Sequence, residues 1–113
     1  MGNNYRPNYE LILLLCKTNV KTKSNNKSNI LTYRRMSPQK MKHSCEKPVP
    51  LLEDLITELS EENDIVLDCF MGSGSTGEAS LKNNRNFIGI ELDENYYNIA
   101  YDRINGCIHE QPK

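Results

Sequence analysis

The clearest hydrophobic pattern begins at Pro50 and predicts a helix. Apolar side chains recur there at helical spacing, and acidic or polar residues occupy the opposite face. The apolar members are Leu51, Leu52, Leu55, Ile56 and Leu59. Pro48 and Pro50 suit the entry to this helix, because N–H groups in a first turn have no intrahelical partner to lose.

A short apolar run at 65–67 predicts a buried strand, which runs into a glycine-rich loop at 68–77. Ser75 and Glu78 have the spacing of a capping box, and this predicts a helix over about 76–84. The following pattern predicts a second strand at 87–92 and a last helix at 94–104.

Asp93 can cap that last helix, and Gly106 is expected to close it. The C-terminal half is therefore predicted to run helix, strand, glycine loop, helix, strand, helix. This order is typical of an α/β fold with a parallel sheet.

The N-terminal third is less regular. Residues 9–16 are a nearly continuous apolar run, which predicts a strand buried on both faces, although a short helix fits the same run. Residues 17–29 are polar and indicate a loop, and residues 30–33 could form a short strand.

Charge divides the chain in two. Residues 1–47 carry ten basic and two acidic side chains, whereas residues 48–113 carry four basic and thirteen acidic ones. Such a split suggests a face that meets a polyanion, and Lys21, Lys23 and Lys27 are its candidate contacts. A merely well-solvated surface loop explains the same charges.

The four cysteines are far apart and form no C-x-x-C pair, so no metal site is predicted and reduced thiols are expected. The longest apolar run is too short to span a bilayer, and the N-terminus does not have the pattern of a signal peptide. These features favour a cytoplasmic protein.

The strongest candidate chemistry lies in the glycine loop. Gly72, Gly74 and Gly77 fit G-x-G-x-x-G directly after a predicted strand, a context that favours binding of an adenosine derivative. Glu91 closes the next strand, where a carboxylate can accept hydrogen bonds from both ribose hydroxyls. Asp68 ends the first strand; it would repel a pyrophosphate but attract the ammonium of a methionine moiety. The pattern therefore favours S-adenosylmethionine (SAM) over NAD or FAD.

Three segments resemble motifs of one enzyme family. Residues 68–77 (DCFMGSGSTG) are similar to its motif I, residues 43–52 (HSCEKPVPLL) to its motif X, and residues 87–96 (FIGIELDENY) to its motif II segment. The family is the β-class of N6-adenine and N4-cytosine DNA methyltransferases, in which motif X directly precedes motif I. Residues 2–17 resemble more loosely the hairpin strand before motif X.

This resemblance implies a partial, Rossmann-like methyltransferase fold, truncated on its N-terminal side, with SAM as cofactor and DNA as partner. Residues 1–35 would be a strand plus basic loop, and residues 36–113 the SAM-binding part of the same domain. His43 and the Lys-Pro step belong to motif X, and that step is expected beside the SAM carboxylate. The cofactor-binding residues implied are Lys47, Pro48, Asp68, Phe70, Gly72, Gly74, Ser75, Thr76 and Glu91.

One family feature is missing. The family catalyses with a loop of Asp, Asn or Ser followed by two prolines and an aromatic residue, and this sequence contains no Pro-Pro step. Such a loop holds the amine of a flipped base and stacks on its ring. We therefore assign no catalytic residue, and we expect strand 65–70 to lack the neighbouring strand that this segment supplies.

Two functions stay open. The chain could be a piece of a restriction–modification DNA methyltransferase that acts on adenine or cytosine, inactive until another chain supplies the catalytic half. It could instead be a non-catalytic SAM- or DNA-binding remnant. A fragment of a nicotinamide dehydrogenase is a third hypothesis, which Asp68 argues against. Low stability as a monomer and self-association are expected in the first two cases.

Overall fold

Helices and strands alternate in the C-terminal part of the molecule. The computed structural model describes residues 8–18, 22–24, 26–34, 36–42 and 45–110. Its regular elements are a short 3-10 turn at Pro38–Lys40, then α1 (Val49–Leu59), β1 (Ile65–Asp68), α2 (Ser75–Lys82), β2 (Asn86–Gly89) and α3 (Glu94–Glu110). The order of helices and strands predicted for the C-terminal half is confirmed.

The two strands form a parallel sheet, with Ile65 opposite Asn86 and Asp68 opposite Gly89. Helix α2 is central, because it contacts α1, α3 and both strands. Ala79 and Ser80 of α2 and Ala100 of α3 are completely buried. Small side chains at this contact let the helices approach closely, and the result is a partial α/β fold with a small core.

One face of the sheet is open. The strands alternate between exposed and half-buried positions, and Ile65 and Leu67 are 65% and 57% exposed. Among the described residues β1 pairs with β2 alone, so its other edge carries no strand. The prediction that 65–67 is buried was wrong, because helices cover only the side occupied by Val66 and Asp68.

The strand predictions for the N-terminal third were also wrong. Residues 9–16 and 30–33 form no strand, and each leucine of the 11–15 run is more than half exposed. A strand needs a partner for its backbone N–H and C=O groups, and within the described ranges no strand pairs with either segment. Hydrophobicity alone was therefore insufficient to make a strand here.

Two helix boundaries differ from the predictions, and a third agrees. No capping box forms: Gly74 is the N-cap of α2, in the left-handed conformation, and Glu78 turns to other partners. Helix α3 continues through Gly106, where glycine weakens a helix without ending it. Asp93 does cap α3, since its Oδ1 accepts the Tyr96 N–H at 3.0 Å.

Strand β2 ends at Gly89, earlier than predicted, because the next backbone groups bind the glycine loop. The Ile90 N–H donates to Asp68 O at 2.9 Å, and Ile90 O accepts the Met71 N–H at 3.1 Å. No helix within the described ranges is long and apolar enough to cross a membrane.

Candidate cofactor-binding site

The site lies where both parallel strands end. Asp68 closes β1 and Gly89 closes β2, so the glycine loop and the segment 90–93 emerge at the same edge of the sheet. In open parallel sheets this carboxyl edge is where ligands bind. The structure thus brings together the two parts that the sequence assigned to one ligand.

Glu91 joins these two parts directly. Its Oε2 accepts the Gly72 N–H at 2.8 Å, and its Oε1 accepts the Asp93 N–H at 2.9 Å. The backbone N–H of Asp93, with that of Gly72, lowers the pKa of Glu91 below its ordinary value. The carboxylate is therefore ionised at neutral pH, and each oxygen keeps a lone pair for a further donor. Sequence reasoning predicted an acceptor here but missed that it also fixes the glycine loop.

The glycines serve two purposes. Gly72 and Gly74 have φ values of 53° and 81°, which favour glycine. A Cβ on Gly74 would lie 2.9 Å from the Ala100 Cβ, and one on Gly77 would lie 2.6 Å from the Ile104 Cδ1. At Gly74 and Gly77 the space that a side chain would need is filled by α3. Close packing of protein, rather than close approach of a ligand, explains glycine at these two positions.

Asp68 occupies the position predicted for it. Its carboxylate is half-buried, and Oδ1 accepts the Phe70 N–H at 3.0 Å, which turns the chain as β1 ends. The Phe70 ring is 91% exposed and the Leu92 side chain fully exposed. Two apolar side chains in water beside a glycine loop provide a surface that an aromatic ligand could cover.

The remaining predicted residues lie around the loop in different settings. Ser75 is buried as the first residue of α2, and Thr76 follows it, half-buried. Pro48 is the N-cap of α1. Lys47 is exposed, and its Nζ pairs with the Glu10 carboxylate. His43 lies outside the described residues.

The described residues of 22–34, here called the basic segment, contact α1. Lys27 Nζ lies 2.5 Å from Asp54 Oδ1, and Lys23 Nζ lies 2.6 Å from Ser60 O and 3.0 Å from a carboxylate oxygen of Glu61. Lys21 is outside the described residues. Part of the charge asymmetry between the halves of the chain is thus neutralised within the molecule, and DNA contacts by these lysines stay a prediction.

An arginine that the sequence analysis missed lies behind the glycine loop. The Arg103 Nη1 donates to Glu46 Oε1 at 2.7 Å and to both Ser73 O and Ser73 Oγ at 3.3 Å. The Nε donates to Glu78 Oε2 at 2.5 Å. The signal was available in the helical pattern, since Arg103 lies between the buried Ala100 and the half-buried Ile104. A charged side chain on a buried helix face needs a partner.

Comparison with known proteins places this arrangement in a family. The family of N6/N4 DNA methylases matches residues 2–102. The chain belongs to this family. The recognition of a DNA amino-methyltransferase from its motifs is thereby confirmed.

The type II methyltransferase M.HindIII of Haemophilus influenzae is 40% identical over 99 residues, which are 84% of this chain and 32% of that protein. M1.MboII of Moraxella bovis is 48% identical over 61 residues, or 54% of this chain and 24% of that protein. The chain thus spans between about a quarter and a third of these relatives.

Two solved structures have a similar fold, and both are complexes with SAM. That of M1.HpyAVI has a TM-score of 0.58 and 41% identity, covering 71% of this chain and 43% of that one. That of a DNA modification methylase from Thermus thermophilus has a TM-score of 0.53 and 33% identity, covering 57% and 27%. The chain therefore shares the α/β fold of SAM-dependent methyltransferases.

Proposed function

We propose that this chain binds SAM as the cofactor-binding part of a DNA amino-methyltransferase. The observation that carries the proposal is the Glu91 carboxylate, held at 2.8 Å from the Gly72 N–H at the carboxyl edge of the sheet. An ionised carboxylate with spare lone pairs, fixed beside a glycine loop, suits the two hydroxyls of a ribose. Bound SAM would supply a methyl group activated by its sulfonium.

The residues around Glu91 fit the rest of such a ligand. Asp68, at the end of β1, offers a carboxylate for an ammonium group, and Phe70 and Leu92 offer exposed apolar surface for a base. The first turn of α2 begins at Ser75, where free N–H groups favour a carboxylate. Lys47 and Pro48 form the neighbouring segment that the family resemblance assigns to the same ligand.

Calorimetry on the full chain tests this assignment. S-adenosylhomocysteine, the demethylated form of SAM, is expected to bind more tightly than NAD, because Asp68 opposes a pyrophosphate. Equal or tighter binding of NAD would remove SAM as the ligand.

A matched pair of substitutions tests the site. Glu91→Gln removes the charge that accepts hydroxyls and should weaken S-adenosylhomocysteine binding about tenfold, the usual size for a charged hydrogen bond. Glu94→Gln changes an exposed carboxylate in the first turn of α3 and should leave the affinity unchanged. Wild-type affinity in Glu91→Gln would place the ligand elsewhere.

Methyl transfer to a DNA base is proposed to require a catalytic segment beyond these 113 residues. No Pro-Pro step is present to hold and stack the target base. The open edge of β1 and the exposed Ile65 and Leu67 offer a place for a further strand, either from a chain with the catalytic half or from a second copy. With tritiated SAM and mixed-sequence DNA, the chain alone should give background counts, and sizing should show self-association.

The alternative is a non-catalytic SAM- or DNA-binding remnant. A SAM-binding remnant without DNA contacts is favoured by the intramolecular pairing of Lys23 and Lys27, which occupies two of the three candidate DNA-binding lysines. Adding a catalytic half that carries the two prolines separates the two functions. Restored methylation supports the enzyme fragment, and continued inactivity with intact SAM binding supports the remnant.

A further inference from the structure

Arg103 connects three separate segments through one guanidinium. It reaches Ser73 in the glycine loop, Glu78 in α2 and Glu46 in the segment before α1. The side chains of Arg103 and Glu46 are only 10% and 1% exposed. Ion pairs out of water are little screened, so their geometry is held firmly.

Glu46 extends this connection to the segment before α1. Its second oxygen accepts the Lys42 N–H at 2.8 Å, and Lys47 and Pro48 follow it directly. Arg103 is thus connected through the Glu46 carboxylate to the Lys42 backbone, and the Lys47–Pro48 step is the next part of the chain. Ser73, whose residue is 2% exposed, lies immediately between the two loop glycines with positive φ.

The Lys47–Pro48 segment and the glycine loop form two sides of the proposed site. Glu46 is connected to the loop both through Arg103 and through its own contact with the Ser73 side chain. A planar guanidinium can bind a carboxylate and a loop carbonyl at once in fixed directions. A lysine ammonium lacks this fork and is shorter.

We propose that Arg103 is a positioning residue of the cofactor site, which fixes the Glu46–Pro48 segment against the glycine loop through Glu46 and Ser73. This inference rests on the proposed SAM site. Arg103 itself does not touch the ligand: it sets the distance between the two segments that do.

Calorimetry with S-adenosylhomocysteine on the full chain tests the proposal. The temperature is kept well below the melting midpoint of every variant. Arg103→Lys and Glu46→Gln should each weaken binding about tenfold, a usual coupling within one ion-pair network. The double variant should bind no more weakly than the weaker single one, because both substitutions break the same connection.

Arg85→Lys is the matched control. Arg85 is also buried, but it binds Ser60 and Asn83 at the opposite end of the sheet. This variant should lower the melting midpoint and leave the affinity for S-adenosylhomocysteine unchanged. A purely structural role of Arg103 predicts instead that all three single variants behave alike.

The proposal is overturned if Arg103→Lys or Glu46→Gln binds like wild type, or if Arg85→Lys loses the same affinity. If Arg103→Lys does not fold, the nearly isosteric Glu46→Gln decides alone. Failure of the SAM site itself is distinguishable, since wild type would then prefer NAD or bind neither ligand.

Discussion

The segment 22–34 and the core of 45–110 are both held by ion pairs, but in different surroundings. Lys27 and Asp54 are 40% and 29% exposed, whereas Arg103 and Glu46 are 10% and 1% exposed. Water and salt screen the first pair strongly and the second weakly. The comparison shows that the number of ion pairs in a region says little about how firmly it is held.

The hydrogen bonds around these pairs strengthen the contrast. The basic segment contacts α1 through the ends of polar side chains. The Ser24 hydroxyl binds the Glu58 carboxylate, and the Tyr33 OH donates to Asp54 Oδ2 at 2.6 Å. Around Arg103, in contrast, packed helices exclude water. The basic segment should therefore detach without unfolding the rest, while loss of the Arg103 network should destabilise the core.

The largest expected effect comes from removing one cation from each region. Arg103→Met leaves Glu46 and Glu78 without their shared partner and should lower the free energy of unfolding by about 3 kcal/mol. Lys27→Met breaks pairs in which the lysine itself is 40% exposed, and it should leave the denaturation midpoint nearly unchanged. Urea unfolding measures both, and equal midpoints for the two variants would contradict the comparison.

A second pair of substitutions compares two glycines. Gly77→Val should destabilise the core by about 2 kcal/mol, because its side chain would meet Phe87 and Ile104. Gly106→Ala lies on the exposed part of α3 with no atom within 4 Å and should stabilise the helix by about 0.5–1 kcal/mol. Thermal melting followed by circular dichroism should show a lower melting midpoint for Gly77→Val and a higher one for Gly106→Ala. An unchanged midpoint in Gly77→Val would mean that the helices can move apart at little cost in free energy.

Acid should act mainly on the core. Burial opposes the charge on Glu46, but hydrogen bonds from Arg103 and the Lys42 N–H outweigh it and hold the pKa below the ordinary 4.5. Burial also opposes the charge on Glu78, and Lys82 and Arg103 lower its pKa in the same way. Carboxylates with lowered pKa in the folded state stabilise fully above 4.5 and lose this effect as pH falls below it.

The melting midpoint of the wild type should therefore fall steeply as the pH is lowered below about 5. In Glu46→Gln the fall should be smaller. Glu94→Gln serves as the control and should retain the wild-type pH dependence. If the melting midpoint of Glu46→Gln falls with acid as much as that of the wild type, the Glu46 carboxylate does not contribute to the pH dependence.

The smallest effect concerns salt. A higher ionic strength shortens the distance over which exposed charges attract each other, and this weakens the ion pairs of the basic segment. Trypsin should therefore cleave after Lys23 and Lys27 faster at about 0.5 M salt than at about 0.05 M. Cleavage after Arg103 should stay slow under both conditions. A peptide substrate corrects for the effect of salt on the protease, and unchanged relative rates would show that the basic segment is held by other means.

Local patterns predicted α1, the two strands and α2 because each depends on residues near in sequence. The carboxyl-edge site was also predictable, since parallel strands bring Asp68 and Glu91 to one edge. The pair of Arg103 and Glu46 was not, because 57 residues separate them and Glu46 lies in a polar stretch without periodicity. The apolar run at 9–16 was predicted to be a strand and is not one, because hydrophobicity does not specify whether a neighbouring strand exists.

The hydrogen bond from Gly72 to Glu91 has a consequence for the kinetics of ligand capture. A loop already anchored at its turn does not have to be ordered by the incoming molecule, so little conformational entropy is lost at that moment. Association should then follow encounter without a slow rearrangement, and the Gly72 amide should be protected from hydrogen–deuterium exchange even in the empty protein. Glu91, which is proposed to bind the ribose, thus orders the glycine loop before the ligand arrives.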